Sequence, residues 1–217
     1  MLIAMSQGAD SQMLHPHNVL NPPNWAGHDM GENPMAFLKA ISEAWSWLVS
    51  EGLVARKPNQ SGESCFVTRR GGRLAAATDP LRDMAAEDRL AAGLHPRIEQ
   101  RIRQQFLLGE FELAAFAAMK EVEIRVREIG GFPDSEIGVR LMQAAFNDSG
   151  PLTDPNLDPG EQTSTRALFW GAIGVFKNPS SHRQVRFEDS TEAAEVVLFA
   201  DLLLRLLDRT EARLKHP

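Results

Sequence analysis

Lys177-Asn178-Pro179-Ser180-Ser181-His182 places a cation, a carboxamide and an imidazole within six residues. Imidazole gains and loses protons near neutral pH, which suits general acid/base work. A fixed cation where negative charge develops stabilises a transition state. Together these groups fit RNA cleavage without a metal, in which a 2′-hydroxyl loses its proton and a phosphorane carries charge. His182 is the candidate acid/base, Lys177 the electrostatic stabiliser and Asn178 the group that positions phosphate. From Ala167 to Phe187 there is no acidic residue, while Lys177, Arg183 and Arg186 are basic. In a chain of net charge −6 that stretch is a candidate anion site. The same residues also suit a plain turn, in which Asn178 caps, His182 bonds a carbonyl and Ser180 and Ser181 fill turn positions.

A second basic group lies at Arg56, Lys57, Arg69, Arg70 and Arg73, with Glu63 as the one acid among them. It suits phosphate contact or an ordinary solvated surface. Cys65, the single cysteine, cannot form an intrachain disulfide and fits a reducing compartment such as the cytoplasm. It sits in Ser64-Cys65-Phe66-Val67, which reads as a strand, and so reads as a packed or edge thiol. His15, His17 and His28 lack the spacing of a structural zinc site. No metal and no cofactor is expected. Nothing matches a phosphate loop or a Ser-His-Asp hydrolase.

The elements that must hold these groups are mostly helical. Residues 1–34 read as an irregular arm, 35–78 as a small α/β module, 79–93 as a helical connector and 94–217 as a helical domain. Met35 to Ser50 is a helix with Phe37, Ile41, Ala44 or Trp45, and Leu48 on one face, closed at Gly52. Strands near Leu53–Ala55 and Cys65–Thr68 flank a polar loop, and Arg69–Arg73 follows the ribbon, leading into Leu74-Ala75. Asp79 to about Ala92 is an exposed helix, broken by Gly93. Helices follow over Ile98–Leu108 and along Phe111, Ala115, Ala118, Met119, Val122, Val126 and Ile129, the latter stopped by Gly130-Gly131. Ile137, Leu141 and Ala145 mark another, with Asp134-Ser135 as its cap. Residues 147–162 form a loop, and Thr163 or Ser164 caps the next helix. That helix ends at Lys177 before Pro179. Ala193, Val196, Ala200, Leu203, Leu204 and Leu207 define the last. Such stripes pack as a bundle.

Two resemblances add to this reading. Leu94-His95-Pro96-Arg97-Ile98, the Gly109–Lys120 segment, Gly138-Val139-Arg140-Leu141-Met142 and the Leu168–His182 segment resemble the Ymh-type family of bacterial proteins. That family is similar to the HEPN superfamily of helical, often dimeric domains, many of them ribonucleases in phage defence and toxin–antitoxin systems. The HEPN motif is Arg, four to six residues, then His, often with Asn after the Arg. Here Lys177 stands for the Arg, while Asn178, His182 and the spacing match. The resemblance implies a mainly α fold with a HEPN-like bundle, a metal-independent endoribonuclease, RNA as partner and a homodimer. Because Lys lacks the two-pronged geometry of Arg, an inactive nucleic-acid- or partner-binding scaffold stays open.

Separately, the helix–ribbon order and the Val-Thr-Arg-Arg-Gly-Gly segment resemble part of a winged helix-turn-helix domain. This implies DNA contact through Arg56, Lys57, Arg69, Arg70 and Arg73, and a DNA-binding regulator as a further alternative. A regulatory partner protein is compatible with each reading. No apolar run reaches the length of a membrane span, and no secretory signal is seen, so no membrane partner is expected.

Overall fold

The computed structural model describes residues 14–21, 33–59, 64–178, 187 and 189–215. The chain divides into two compact units, residues 1–80 and 81–217. Most described residues are helical, and none of the described helices is long and apolar enough to cross a membrane.

In the first unit, α1 (Pro16–Leu20) begins at His15, whose Nδ1 accepts the His17 N–H at 3.2 Å. A short helix thus lies within the segment that the sequence reads as irregular. Buried Leu14 accepts the Cys65 N–H at 2.9 Å, which ties this segment to the ribbon. α2 (Pro34–Ser50) starts with Pro34 in its first turn and Asn33 as cap, accepting the Ala36 N–H at 3.0 Å. Its inward stripe is the expected one: Leu48 and Trp45 are buried, Phe37 and Ile41 half-buried. Gly52, at φ 65°, then turns the chain out of the helix. β1 (Val54–Arg56) and β2 (Cys65–Val67) pair antiparallel, Val54 opposite Val67 and Arg56 opposite Cys65. Cys65 is buried.

Where the sequence runs on from the ribbon through Arg69–Arg73 into Leu74-Ala75, α3 (Arg69–Ala76) forms. Thr68 is the reason: its Oγ1 accepts the Gly71 N–H at 3.0 Å and donates to the Gly52 carbonyl at 2.8 Å. Gly71 completes the fit, because a Cβ there would lie 2.2 Å from the Leu53 carbonyl oxygen.

The second unit runs α4 (Pro80–Arg89), a 3-10 turn (Leu90–Ala92), α5 (Glu99–Leu107), α6 (Phe111–Gly130), α7 (Gly138–Phe146), α8 (Pro159–Ala172) and α9 (Ser190–Lys215). α4 is less exposed than a connector: Met84, Ala86 and Glu87 are buried. Asp83 accepts the Ser190 hydroxyl at 2.6 Å, and Arg82 pairs with Asp189 at 3.2 Å. α6 is central, packing along α9 and also against α5 and α7. Ala115, Ala118, Met119, Val122 and Val126 of its stripe are buried, as are Ala193, Val196, Ala200, Leu203, Leu204 and Leu207 of α9. Each large apolar side chain so buried contributes about 1.5–3 kcal/mol. α8 starts earlier than Thr163. Asp158 and Glu161 form a capping box around Pro159 at the first helical position, so these residues open the helix rather than extend the loop.

The His95-Pro96-Arg97 turn is fastened to α9. The His95 ring, 7% exposed, meets Asp208 at 2.8 Å through Nε2, while its Nδ1 accepts the Arg97 N–H at 3.3 Å. Arg125 of α6 reaches Asp208 at 2.9 Å and Glu211 at 2.6 Å. Partial burial opposes ionisation of Asp208, but hydrogen bonds from His95 and Arg125 outweigh it and hold the carboxyl below its usual 3.8. Hydrogen bonds from Lys215 and Arg125 lower Glu211 from its usual 4.5. Carboxyls depressed in the folded state contribute stability above their unfolded values and lose it as pH falls through the folded ones. The melting temperature should therefore be insensitive to these groups between pH 7 and about 5.5 and fall below about pH 4. Arg125→Met should flatten that acid limb, and an unchanged limb would contradict the assignment.

Candidate functional site

α8 does not end as a regular helix. It continues into a π-helical turn, Ile173–Lys177, and the Asn178 N–H bonds the Ile173 carbonyl. A π turn inserts one extra residue into the helical course, and such turns recur at functional sites. Here it sets the direction of Lys177 and Asn178. Ile173 on the same turn is fully buried and anchors it to the core.

Lys177 turns inward. Its Nζ lies 3.1 Å from Glu123 Oε2, and the two side chains are 12% and 5% exposed. Glu123 comes from the middle of α6 and is fully engaged. Its Oε1 accepts from Arg127 Nη2 at 3.0 Å, and its Oε2 accepts the Gly138 N–H at 2.7 Å. Arg127 Nε donates in turn to the Glu136 carbonyl at 3.0 Å. One carboxylate thus joins α6, the start of α7 and the π turn, facing two cations. Burial of such a group is tolerable only because each oxygen has charged or N–H partners.

Asn178 lies against the same junction. A Cβ on Gly138 would stand 3.3 Å from Asn178 Oδ1, and Gly138 has φ 64°. Both the backbone conformation and the close approach require glycine here. Gly138→Ala should therefore cost about 1–2 kcal/mol from the left-handed backbone alone, with a further shift of Asn178. A lowered urea midpoint with an unchanged slope is the expected reading, and an unaltered midpoint would contradict it.

Of the residues singled out in the sequence, Lys177 and Asn178 are brought together with Glu123, Arg127 and Gly138. Ser180, Ser181, His182, Arg183 and Arg186 lie outside the described residues. The basic group of the first unit is divided. Arg56 is exposed at the end of β1, and Lys57 bonds the Ser64 carbonyl through its N–H at 2.8 Å. Arg69, Arg70 and Arg73 lie on α3, where Arg69 is exposed. Arg70 is drawn back to the end of α2, pairing with the Glu51 carboxylate at 3.9 Å and donating to its carbonyl.

Sequence reasoning missed Glu123, Arg127 and the role of Gly138. One signal was present: Glu123 falls four residues after Met119 and three before Val126, on the apolar side of α6. Its spacing from Arg127 reads just as well as an ordinary surface pair.

Fold and site define a mainly helical domain built on a central helix, with a buried acid–base cluster beneath a π turn that leads into the Lys177–His182 segment. Residues 92–207, more than half of the chain, match a family model described as a protein of unknown function (Hypoth_ymh). The chain belongs to that family. No curated protein and no solved structure matches it.

Proposed function

We propose that the protein is a metal-independent endoribonuclease of the HEPN type, acting in phage defence or as a toxin, with its site at Lys177, Asn178 and His182. The observation that carries this reading is the seating of the Lys177-Asn178 end of the motif. A π turn delivers both residues to a junction of three elements, where Lys177 pairs with Glu123 and Asn178 lies close to Gly138. Positioning of this kind is what acid/base and electrostatic catalysis require. In this reading His182 exchanges the proton of the 2′-hydroxyl, Lys177 stabilises charge on the phosphorane, and Asn178 orients the phosphate. Arg183 and Arg186 add to the anion-attracting segment.

The helical unit is taken as a HEPN-like bundle that works as a homodimer, so that two motif segments share a cleft. The first unit is taken as winged-helix-like, with the exposed Arg56 and Arg69 turned to nucleic acid and Arg70 paired with Glu51. The test is end-group analysis of RNA cut in EDTA. Products should carry a 2′,3′-cyclic phosphate, and a need for divalent metal would overturn the mechanism.

A second reading has one observation in its favour. Lys177 is largely buried against Glu123, which suits a scaffold that binds RNA or a partner protein without cutting. Under that reading the wild type binds RNA but leaves it intact, and Lys177→Arg cuts it.

A further inference from the structure

A cleft of about 380 Å³ opens elsewhere in the helical unit, between α8, the second half of α9 and the loop before α8. Its volume lies in the range of small-molecule sites. Along α8 it is separated from Lys177 by roughly 13–18 Å, at 1.5 Å per residue from Leu168 or Thr165. The nuclease reading makes no use of it.

The wall of the cleft is pre-formed. Twelve residues separate Phe146 from Pro159, well above the usual connection of about four to six. This loop is pinned throughout. The Leu152 N–H bonds the Ala145 carbonyl at 3.0 Å and the Thr153 hydroxyl bonds the Asn147 carbonyl at 2.6 Å. Arg213 of α9 holds the Leu152 carbonyl at 3.0 Å and the Asp154 carboxylate at 3.3 Å. Beneath lies the stacked pair Phe146 and Phe169, ring centroids 4.5 Å apart. Leu157 and Leu168, 38% and 39% exposed, flank the opening.

Charge at the rim selects the occupant. Asp154 is neutralised by Arg213. Arg209, one turn earlier on α9, lines the same cleft, is exposed, and has no partner among the described residues. The rim therefore presents one unspent guanidinium above an apolar floor. A cationic ligand would be repelled, and a neutral one would leave that group unused.

We propose that this cleft binds a small amphipathic monocarboxylate, its apolar body between Leu157 and Leu168 and its carboxylate on Arg209. Octanoate is the probe, with octylamine and 1-octanol as charge-reversed and neutral counterparts, titrated into the full-length protein by calorimetry and thermal shift. Octanoate should bind saturably and at least tenfold more tightly than either counterpart. Arg209→Glu, an exposed position, should weaken octanoate at least tenfold while keeping the wild-type melting temperature. Leu168→Gln, an uncharged change at the opening, should also weaken octanoate and separates loss of the apolar wall from effects of charge alone. Absence of saturable octanoate binding would overturn the proposal. So would equal affinity for octylamine, or undiminished binding to Arg209→Glu. None of these outcomes depends on whether the protein cuts RNA.

Discussion

Glu123→Ala should destabilise the helical unit by about 3–5 kcal/mol, the range for removing one partner from a buried ion pair. Three losses combine. Lys177 and Arg127 are left facing each other without their carboxylate, and the Gly138 N–H loses its acceptor. Glu123 is only 5% exposed, so water cannot readily replace it. Glu123→Gln separates the contributions. Its amide oxygen can still accept from Gly138 or Arg127, so it should cost less than Ala while still weakening the hold on Lys177. Chemical denaturation checks this. A loss below about 1 kcal/mol for Glu123→Ala, a value typical of ordinary substitutions, would show that the cluster does not bind the three elements together.

The apolar framework was legible because its signal is local. Met119, Val122 and Val126 recur at helical spacing, and so do Ala200, Leu203, Leu204 and Leu207, and all of them are buried. The Asp158–Glu161 cap was written in the sequence too, but Pro159 and Gly160 resembled loop composition and obscured it. The site was half legible. Lys177 and Asn178 stood out by residue type and spacing. Glu123 did not, because its burial is created by Lys177 and Gly138, which reach it only once α7 and the π turn have packed on α6. A one-residue insertion such as the π turn leaves no mark on an apolar period. Gly138 was visible as a residue, but its positive φ and its nearness to Asn178 are tertiary facts.

The largest effect on activity is expected within the motif. Loss of a positioned acid/base group typically costs 10²–10⁴-fold, so His182→Ala should fall to that extent or to background. Lys177→Ala should also lose activity, and it removes one of the two cations that face Glu123, so its stability must be measured alongside. Lys177→Arg restores a planar fork able to contact carboxylate and phosphate together, and should retain or raise cleavage.

Cleavage of mixed cellular RNA in EDTA by the wild type and by His182→Ala, at matched folded concentration, tests the central claim most directly. The wild type should cut without metal and His182→Ala should not cut above background, with equal melting temperatures. Undiminished cutting by His182→Ala, or no cutting by the wild type under conditions where Lys177→Arg also fails, would contradict it.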